Sequence, residues 1–442
     1  MSQDWLRQSA CDLGRGIAAG EIHPVALTET YLDAAEAHPF CNRIYARLTR
    51  DRALAEATAS AARAKAGVRA SLLDGVPISW KDLFDTAGIV TEAGSALLKG
   101  RVPDTDAAVL QAATSAGLVC LGKTHMSELA FSGLGLNPVT ATSPCVNDHA
   151  AVAGGSSSGA ATSVAFNIAA AGIGSDTGGS VRIPSVWNDL VGLKTTAGAL
   201  SLQGVVQLCA EFDTVGPLCR TVEDAAHLFA ALKGDKPVDL QGSDLSGRHF
   251  VVCKSLALDD LEDAQALAFE NALTAMQAAG AKISEFETPI IAETLQMAGC
   301  LYTSEAYAQW HEVIEANPEL MFSEILERFR AGLDFSAVEY IGAWKRMLQI
   351  RQEFAALTAG YDGILMPTSP LMPPNLAKLE QDGDYFVRAN LLALRNTRIG
   401  NMMGSCALTL PTGTPSCGLT LMGQPFEDRK ILRLGAAIAP IL

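Results

Sequence analysis

Gly154-Gly155-Ser156-Ser157-Ser158-Gly159 and Gly174-Ser175-Asp176-Thr177-Gly178-Gly179-Ser180 are the two stretches that decide the reading of this chain. Each sets serines among glycines. The first is followed by an apolar run, Ala160 to Ala171, that reads as a helix, so Ser156 falls at or just before a helix N-terminus. There the positive end of the helix dipole favours an oxygen carrying negative charge. The plainer role for a serine at that place is to cap the helix, and Ser157 and Ser158 are read that way. The second stretch follows a strand-like Ala170 to Gly174. Its paired glycines reach backbone angles that other residues resist, so the N–H groups of Thr177, Gly178, Gly179 and Ser180 can converge beside the serine. Such donors form an oxyanion hole. Asp176 is placed to hold the turn. A Gly-rich loop with a solvated serine is the alternative.

Upstream lies Val76-Pro77-Ile78-Ser79-Trp80-Lys81-Asp82. Gly75 to Trp80 reads as a short buried strand with Lys81 at its end. A lysine set among Ile78, Trp80, Leu83 and Phe84 loses hydration, which favours the neutral amine and makes it a usable base. The alternative is a surface lysine paired with Asp82.

Elsewhere helical and strand patterns alternate. Val25 to Ala37, Asp51 to Ala66 and Thr105 to Ala116 carry helical spacing. Strand signals fall at Leu118 to Leu121, Phe250 to Lys254, Gly363 to Met366, Cys406 to Leu410 and Gly418 to Met422. Thr221 caps a helix with early acids. The stretch from Asp259 to Gly360 reads as mostly helical. This alternation predicts an α/β fold. We expect a single large domain over residues 1–442, with a central mixed sheet covered by helices on both faces. Its parts are a helical segment 1–70, a core 71–232, a helical elaboration near 288–360 and a return to the sheet over 361–442.

With 33 basic and 48 acidic residues the net charge is −15, which disfavours nucleic-acid partners. The apolar run Ala165 to Ile173 is far short of a bilayer span, and Met1 to Trp5 has no signal-peptide pattern. The ten cysteines show no CxxC pairs or metal-ligand spacing, so we expect reduced thiols in a cytoplasmic protein without a metal.

Taken together these segments resemble the amidase signature family, densely from Leu72 to about Leu232 and more weakly from Asp362 onward. Gly75-Val76-Pro77-Ile78 leading to Lys81-Asp82 is similar to the family's lysine segment. Gly122-Lys123-Thr124-His125-Met126, the two serine segments, Phe212-Asp213-Thr214-Val215-Gly216-Pro217 and Gly423-Gln424-Pro425-Phe426 also match in order. The resemblance implies a Ser–cis-Ser–Lys triad: Ser180 as nucleophile, Ser156 as bridging serine after a cis Gly155–Ser156 bond, and Lys81 as base. It also implies hydrolysis of a linear, small-molecule amide through an acyl-enzyme, no cofactor, and a possible homodimer. His125 stands where the family commonly has asparagine, and Thr195 follows Gly192-Leu193-Lys194 where it commonly has proline. These departures bear on substrate recognition. Arg182 and Lys194 are read as residues of the fold, and His125 as a buried histidine. Met126 and Ser127 are expected at the substrate, with Tyr302, Trp310, Phe322 and Trp344 as further pocket candidates.

Four other readings stay open. Gly117 to Thr124 fits the letters of a phosphate loop, though its middle reads as a strand. Gly155 to Gly159 fits a GxSxG elbow around Ser157. Cys145 is a third candidate nucleophile. Within the family, the chain could be the amidase component of a tRNA-dependent amidotransferase, handing ammonia to a partner protein.

Overall fold

The computed structural model describes residues 2–442, and statements of absence below refer to these. Eleven strands form one mixed sheet. In chain order they are β1 (Tyr45–Leu48), β2 (Pro77–Lys81), β3 (Val119–Thr124), β4 (Ala171–Asp176), β5 (Val191–Lys194), β6 (Thr214–Cys219), β7 (His249–Cys253), β8 (Lys282–Phe286), β9 (Gly363–Pro367), β10 (Ala407–Pro411) and β11 (Gly418–Met422). Their order across the sheet is β1-β3-β2-β4-β6-β5-β10-β11-β9-β7-β8. Strands β3, β2 and β4 run parallel, as do β9, β7 and β8, and the middle of the sheet is antiparallel.

Helices cover this sheet. Ser158–Ala165 packs on β2, β3, β4 and β6, Val222–Lys233 on β5 and β6, and Asp428–Ile438 on β10 and β11. A large apolar cluster runs through the molecule from Ala10 to Ile438. One sheet and this dominant core make a single α/β domain, and a small second cluster of Ala35, Ile44, Tyr45 and Ile168 gathers at the start of β1.

β5 and β6 are buried along their length yet are not among the strands expected from sequence, whereas β2, β3 and β4, which also bury every residue, are legible in sequence. The sheet's two edges are not. β1 falls between two helical patterns. β8 lies inside the stretch read as mostly helical; it is a short edge strand with Lys282 and Glu285 exposed, so its apolar alternation is weak. The helix expected over Ala160 to Ala171 spans Ser158–Ala165, and β4 starts at Ala171. A continuous apolar run carries no period that would separate a buried helix from the buried strand after it. The segment Gly117 to Thr124 contains β3, so no open phosphate-binding turn exists there.

The topology matters most at β2 and β4. They are adjacent and parallel, with Trp80 opposite Ile173, so their carboxyl ends lie side by side. Lys81 ends one and Ser175-Asp176 ends the other. Ligand sites of open α/β sheets favour such strand ends.

Candidate active site

Lys81 is fully buried at the end of β2. Its Nζ lies 2.7 Å from Ser156 Oγ and 2.8 Å from Ser175 Oγ. No carboxylate pairs with it. Asp82 turns away to Arg47, 2.7 Å, and to Lys123, 3.4 Å. Burial pushes the Lys81 amine down to about 7, only partly opposed by the charges of Asp213 and Asp176. This lysine is therefore substantially neutral near neutral pH.

The Gly155–Ser156 peptide is cis. The Ser156 carbonyl accepts from the Ser127 N–H, 3.1 Å. Ser157 occupies the N-cap position but makes no cap bond; its hydroxyl exchanges hydrogen bonds with the Ser175 backbone, 3.2 and 3.3 Å. That contact ties the first serine segment to β4. The second tie is from Ser157 N–H to the Ser180 carbonyl, 3.3 Å. No hydrogen bond joins Ser156 Oγ to Ser180 Oγ among the described residues. Links of this kind are often long in unliganded sites and tighten around substrate.

The turn after β4 is built around Asp176. Its carboxylate accepts from Gly179 N–H, 2.8 Å, Val181 N–H, 3.1 Å, and Asn401 Nδ2, 2.9 Å, and receives Arg182 through Nε and Nη2, both 3.0 Å. Burial alone would push this carboxyl up; the Arg182 guanidinium and these donors hold it well below the usual carboxylate range. Gly179 has φ 139°, and a Cβ there would meet Thr397 Oγ1 at 2.2 Å, so both angle and space demand glycine. Of the four N–H groups expected to converge, Gly179 is the exception: its donor is held by Asp176. Thr177, Gly178 and Ser180 N–H have no partner among the described residues.

Thr177 is pinned through both its side chain and its backbone. Its hydroxyl donates to Asp213, and its carbonyl accepts from Tyr302 Oη, 2.9 Å. Next to it, the Gly178 carbonyl accepts from Thr397 Oγ1, 2.6 Å. Asp213, fully buried, also accepts from Leu208 and Cys209 N–H at 2.9 and 3.2 Å. Burial pushes it up to about 6, against the pull of these donors.

Ser180, Thr177 and Gly178 line a small chamber of about 20 Å³ with Ala130 to Gly133, Leu208, Leu394, Tyr302, Arg328 and Arg398. The last three also line a larger cleft of about 910 Å³ between the helices Ile290–Ala316, Ser323–Arg330 and Gly383–Met402. The structure thus brings Lys81, Ser156, Asp176 and the turn to Ser180 into one site. Met126 and Ser127 do not line the chamber; both are fully buried, and Ala130 to Gly133 take the place expected for them. Of the aromatic candidates only Tyr302 lines the space. Trp310 donates to the Gln207 carbonyl, 2.9 Å, Trp344 stacks on Phe212, and Phe322 packs on Phe386.

The remaining candidates resolve as fold residues. Lys194 Nζ bonds the Thr195 and Ser405 carbonyls at 2.9 and 2.6 Å, and burial lowers it to about 8. His125 lies outside the chamber, and burial followed by the charge of Arg47 lowers it to about 4, so it is neutral. Cys145 is buried with its thiol on the Trp187 carbonyl, 3.1 Å, and all ten cysteines are unpaired. Residues that sequence reasoning missed are Ser175, Thr397, Asn401, Arg328 and Arg398. Ser175 stood inside the quoted segment, where nothing in the sequence set it apart from its neighbours; the other four lie on helices that carry no local mark.

Comparison with known proteins defines the class. The amidase family profile matches residues 26–432. The chain is 33% identical to a 2-amino-5-chloromuconic acid deaminase of Comamonas testosteroni over 95% of both chains. It is 31% identical to a glutamyl-tRNA(Gln) amidotransferase subunit of Anaeromyxobacter dehalogenans (strain 2CP-C), over 99% of this chain and 96% of that one. A solved amidase superposes with a TM-score of 0.88 at 30% identity, over 98% of this chain and all of the other. The chain belongs to the amidase family. It is a hydrolase acting on carbon–nitrogen bonds.

Proposed function

We propose that this protein hydrolyses a linear carboxylic amide to an acid and ammonia or an amine, through an acyl-enzyme on Ser180. The observation that carries the reading is Lys81: fully buried, lowered to about 7, and 2.7 Å from Ser156 Oγ. A neutral amine keeps two hydrogens and one lone pair. One hydrogen serves Ser175, and the lone pair faces the Ser156 proton. Lys81 takes that proton, Ser156 takes the proton of Ser180, and Ser180 Oγ attacks the amide carbon. The N–H groups of Thr177, Gly178 and Ser180 stabilise the oxyanion, each worth roughly 3 kcal/mol of barrier. The relay then runs backward and protonates the departing nitrogen. Water attacks the ester by the same route and releases the acid. The elbow around Ser157 is disfavoured, because the Ser157 hydroxyl is held by the Ser175 backbone.

A second reading is favoured by one finding: relatives named as glutamyl-tRNA(Gln) amidotransferase subunits match this chain almost end to end. The two separate on a single experiment. The purified chain alone is assayed for ammonia release from a panel of aliphatic, aromatic and dicarboxylic amides. Release from simple amides is expected. Release from glutamine only, and only with partner proteins present, overturns the stand-alone hydrolase. No described helix is long and apolar enough to cross a membrane. We assign a small-molecule amide as substrate, admitted through the cleft of about 910 Å³ that shares Tyr302, Arg328 and Arg398 with the chamber beside Ser180.

A further inference from the structure

Two arginines in the chamber have no part in the chemistry above. Arg328 comes from the helix Ser323–Arg330 and Arg398 from Gly383–Met402. Both line the small chamber at Ser180 and the larger cleft. Arg398 passes directly under the oxyanion turn: its Nε lies 3.8 Å from where a Gly178 Cβ would be. Its guanidinium makes no hydrogen bond among the described residues and lies 5.9 Å from the centroid of the Tyr302 ring. Arg328 gives one hydrogen bond to the Phe131 carbonyl, 2.8 Å, and rests over the Phe131 ring at 4.3 Å.

Neither arginine forms an ion pair with a carboxylate among the described residues, in a chain with a net charge of −15. Glu324, Glu327, Asp382 and Asp384 line the outer cleft, but none pairs with them. Glu324 accepts from Ser323, Glu327 faces Arg330, and Asp382 caps its own helix. Burial, with the like charge of Arg398, pushes Arg328 down to about 9, which leaves it a cation at neutral pH, and burial lowers Arg398 as well. Two partly dehydrated guanidiniums facing one space repel each other and lack counter-charge. A planar anion that accepts from both removes that cost, and the fork of an arginine matches a carboxylate.

We propose that the substrate is a short dicarboxylic monoamide. Arg398, assisted by Arg328, binds the free carboxylate while Ser180 attacks the amide at the other end. The spacer is short because Ser180, Arg328 and Arg398 line the same small chamber. This inference rests on the amidase reading and adds the acyl group to it. Arg398 and Arg328 act on substrate charge, not on the proton relay.

The test pairs succinamate with butyramide, equal in length and differing in the carboxylate. Wild type is expected to favour succinamate by roughly 100-fold or more in kcat/KM, as sites built for a polar group reject analogues that lack it. Arg398→Gln should collapse that ratio toward one, mainly through KM on succinamate; Arg398→Lys should restore part of it. Succinate should inhibit wild type competitively, while neutral succinamide should not, and this arm needs no variant to fold. Calorimetry should show succinate binding to Ser180→Ala and lost in Ser180→Ala/Arg398→Gln. Equal or better turnover of butyramide, with no inhibition by succinate, overturns the proposal and leaves the amidase reading intact. If no amide is hydrolysed, the amidase reading fails, and succinate binding still decides the anion site.

Discussion

The wall of the site and its cleft are made in opposite ways. The wall is strand ends and glycine turns from residues 75–219, where Lys81, Ser156, Ser175 and Asp176 are buried and hydrogen-bonded almost without gaps. The cleft is made of helices from residues 290–402, wide and open, with Arg328 and Arg398 left without counter-charge. On the reading proposed above, the first region is over-determined and performs a reaction common to many amides, and the second is permissive and selects among them. A buried lysine next to hydroxyls is costly whatever the substrate, so its place is fixed by chemistry. A cleft side chain is judged only by the ligand it meets.

The largest expected effect tests whether the wall is catalytic at all. Ser180→Ala should lower kcat by about 10⁴-fold or more, to a rate left by binding and oxyanion contacts, with no loss of folded protein. The side chain is small and makes no hydrogen bond, so circular dichroism and thermal midpoint should be close to wild type. Residual turnover within tenfold of wild type removes Ser180 from the reaction and dissolves the contrast between wall and cleft.

Next comes Lys81→Met. Activity should fall nearly as far. In wild type, kcat/KM should rise about tenfold per pH unit up to about 7 and level off above, as the lysine loses its proton. The variant's stability should move the other way from its activity. The folded amine sits near 7 and the unfolded one near 10.5, so the unfolded chain holds the extra proton between these values. This group's contribution is full above pH 10.5 and is lost as pH falls toward 7, on the order of 5 kcal/mol in all. Lys81→Met should therefore raise the urea midpoint at pH 7 and lose that advantage near pH 10. A destabilised variant at both pH values would mean that the amine holds the wall together rather than straining it.

Tyr302→Phe probes one of the bonds that join the two regions, beside those from Thr397 to Gly178 and from Asn401 to Asp176. Tyr302 lines the cleft, yet its hydroxyl holds the Thr177 carbonyl at 2.9 Å. Losing it should cost roughly 1 kcal/mol of alignment and about fivefold in kcat, with little change in KM. A change confined to KM would place Tyr302 with the cleft alone.

The same contrast explains what was legible in sequence. The segments around Lys81, Ser156 and Ser180 stood out because buried strand ends and glycine turns constrain residue type at fixed positions, as Gly179 shows with its φ of 139°, while the roles proposed for the three came from the resemblance. The converging N–H groups were over-read by one, since Asp176 could as well accept from Gly179 as from any neighbour, and only folding decides. Arg328 and Arg398 sit in helices whose patterns look like solvated faces; the sheet's far connections turn them inward. Met126 and Ser127 were expected as pocket walls, yet both are buried and neither lines the chamber. This segment lines the chamber only from Ala130, after Leu129 and Ala130 take positive φ angles of 45° and 61°.

The smallest expected effect checks the boundary of the wall. His125 departs from the asparagine common in the family and follows β3, where its backbone carbonyl accepts from Gly159 N–H, 3.0 Å, and its N–H donates to the Ile44 carbonyl, 2.9 Å. These bonds hold the start of the serine helix and do not depend on the side chain. The imidazole is kept neutral by burial and lies outside the chamber, so it neither titrates with activity nor touches substrate. His125→Asn should change kcat/KM by less than about twofold on either substrate and shift stability by ~1 kcal/mol at most. A change in the succinamate-to-butyramide ratio would instead carry the selecting region across to β3, and the division between a fixed wall and a selecting cleft would no longer hold.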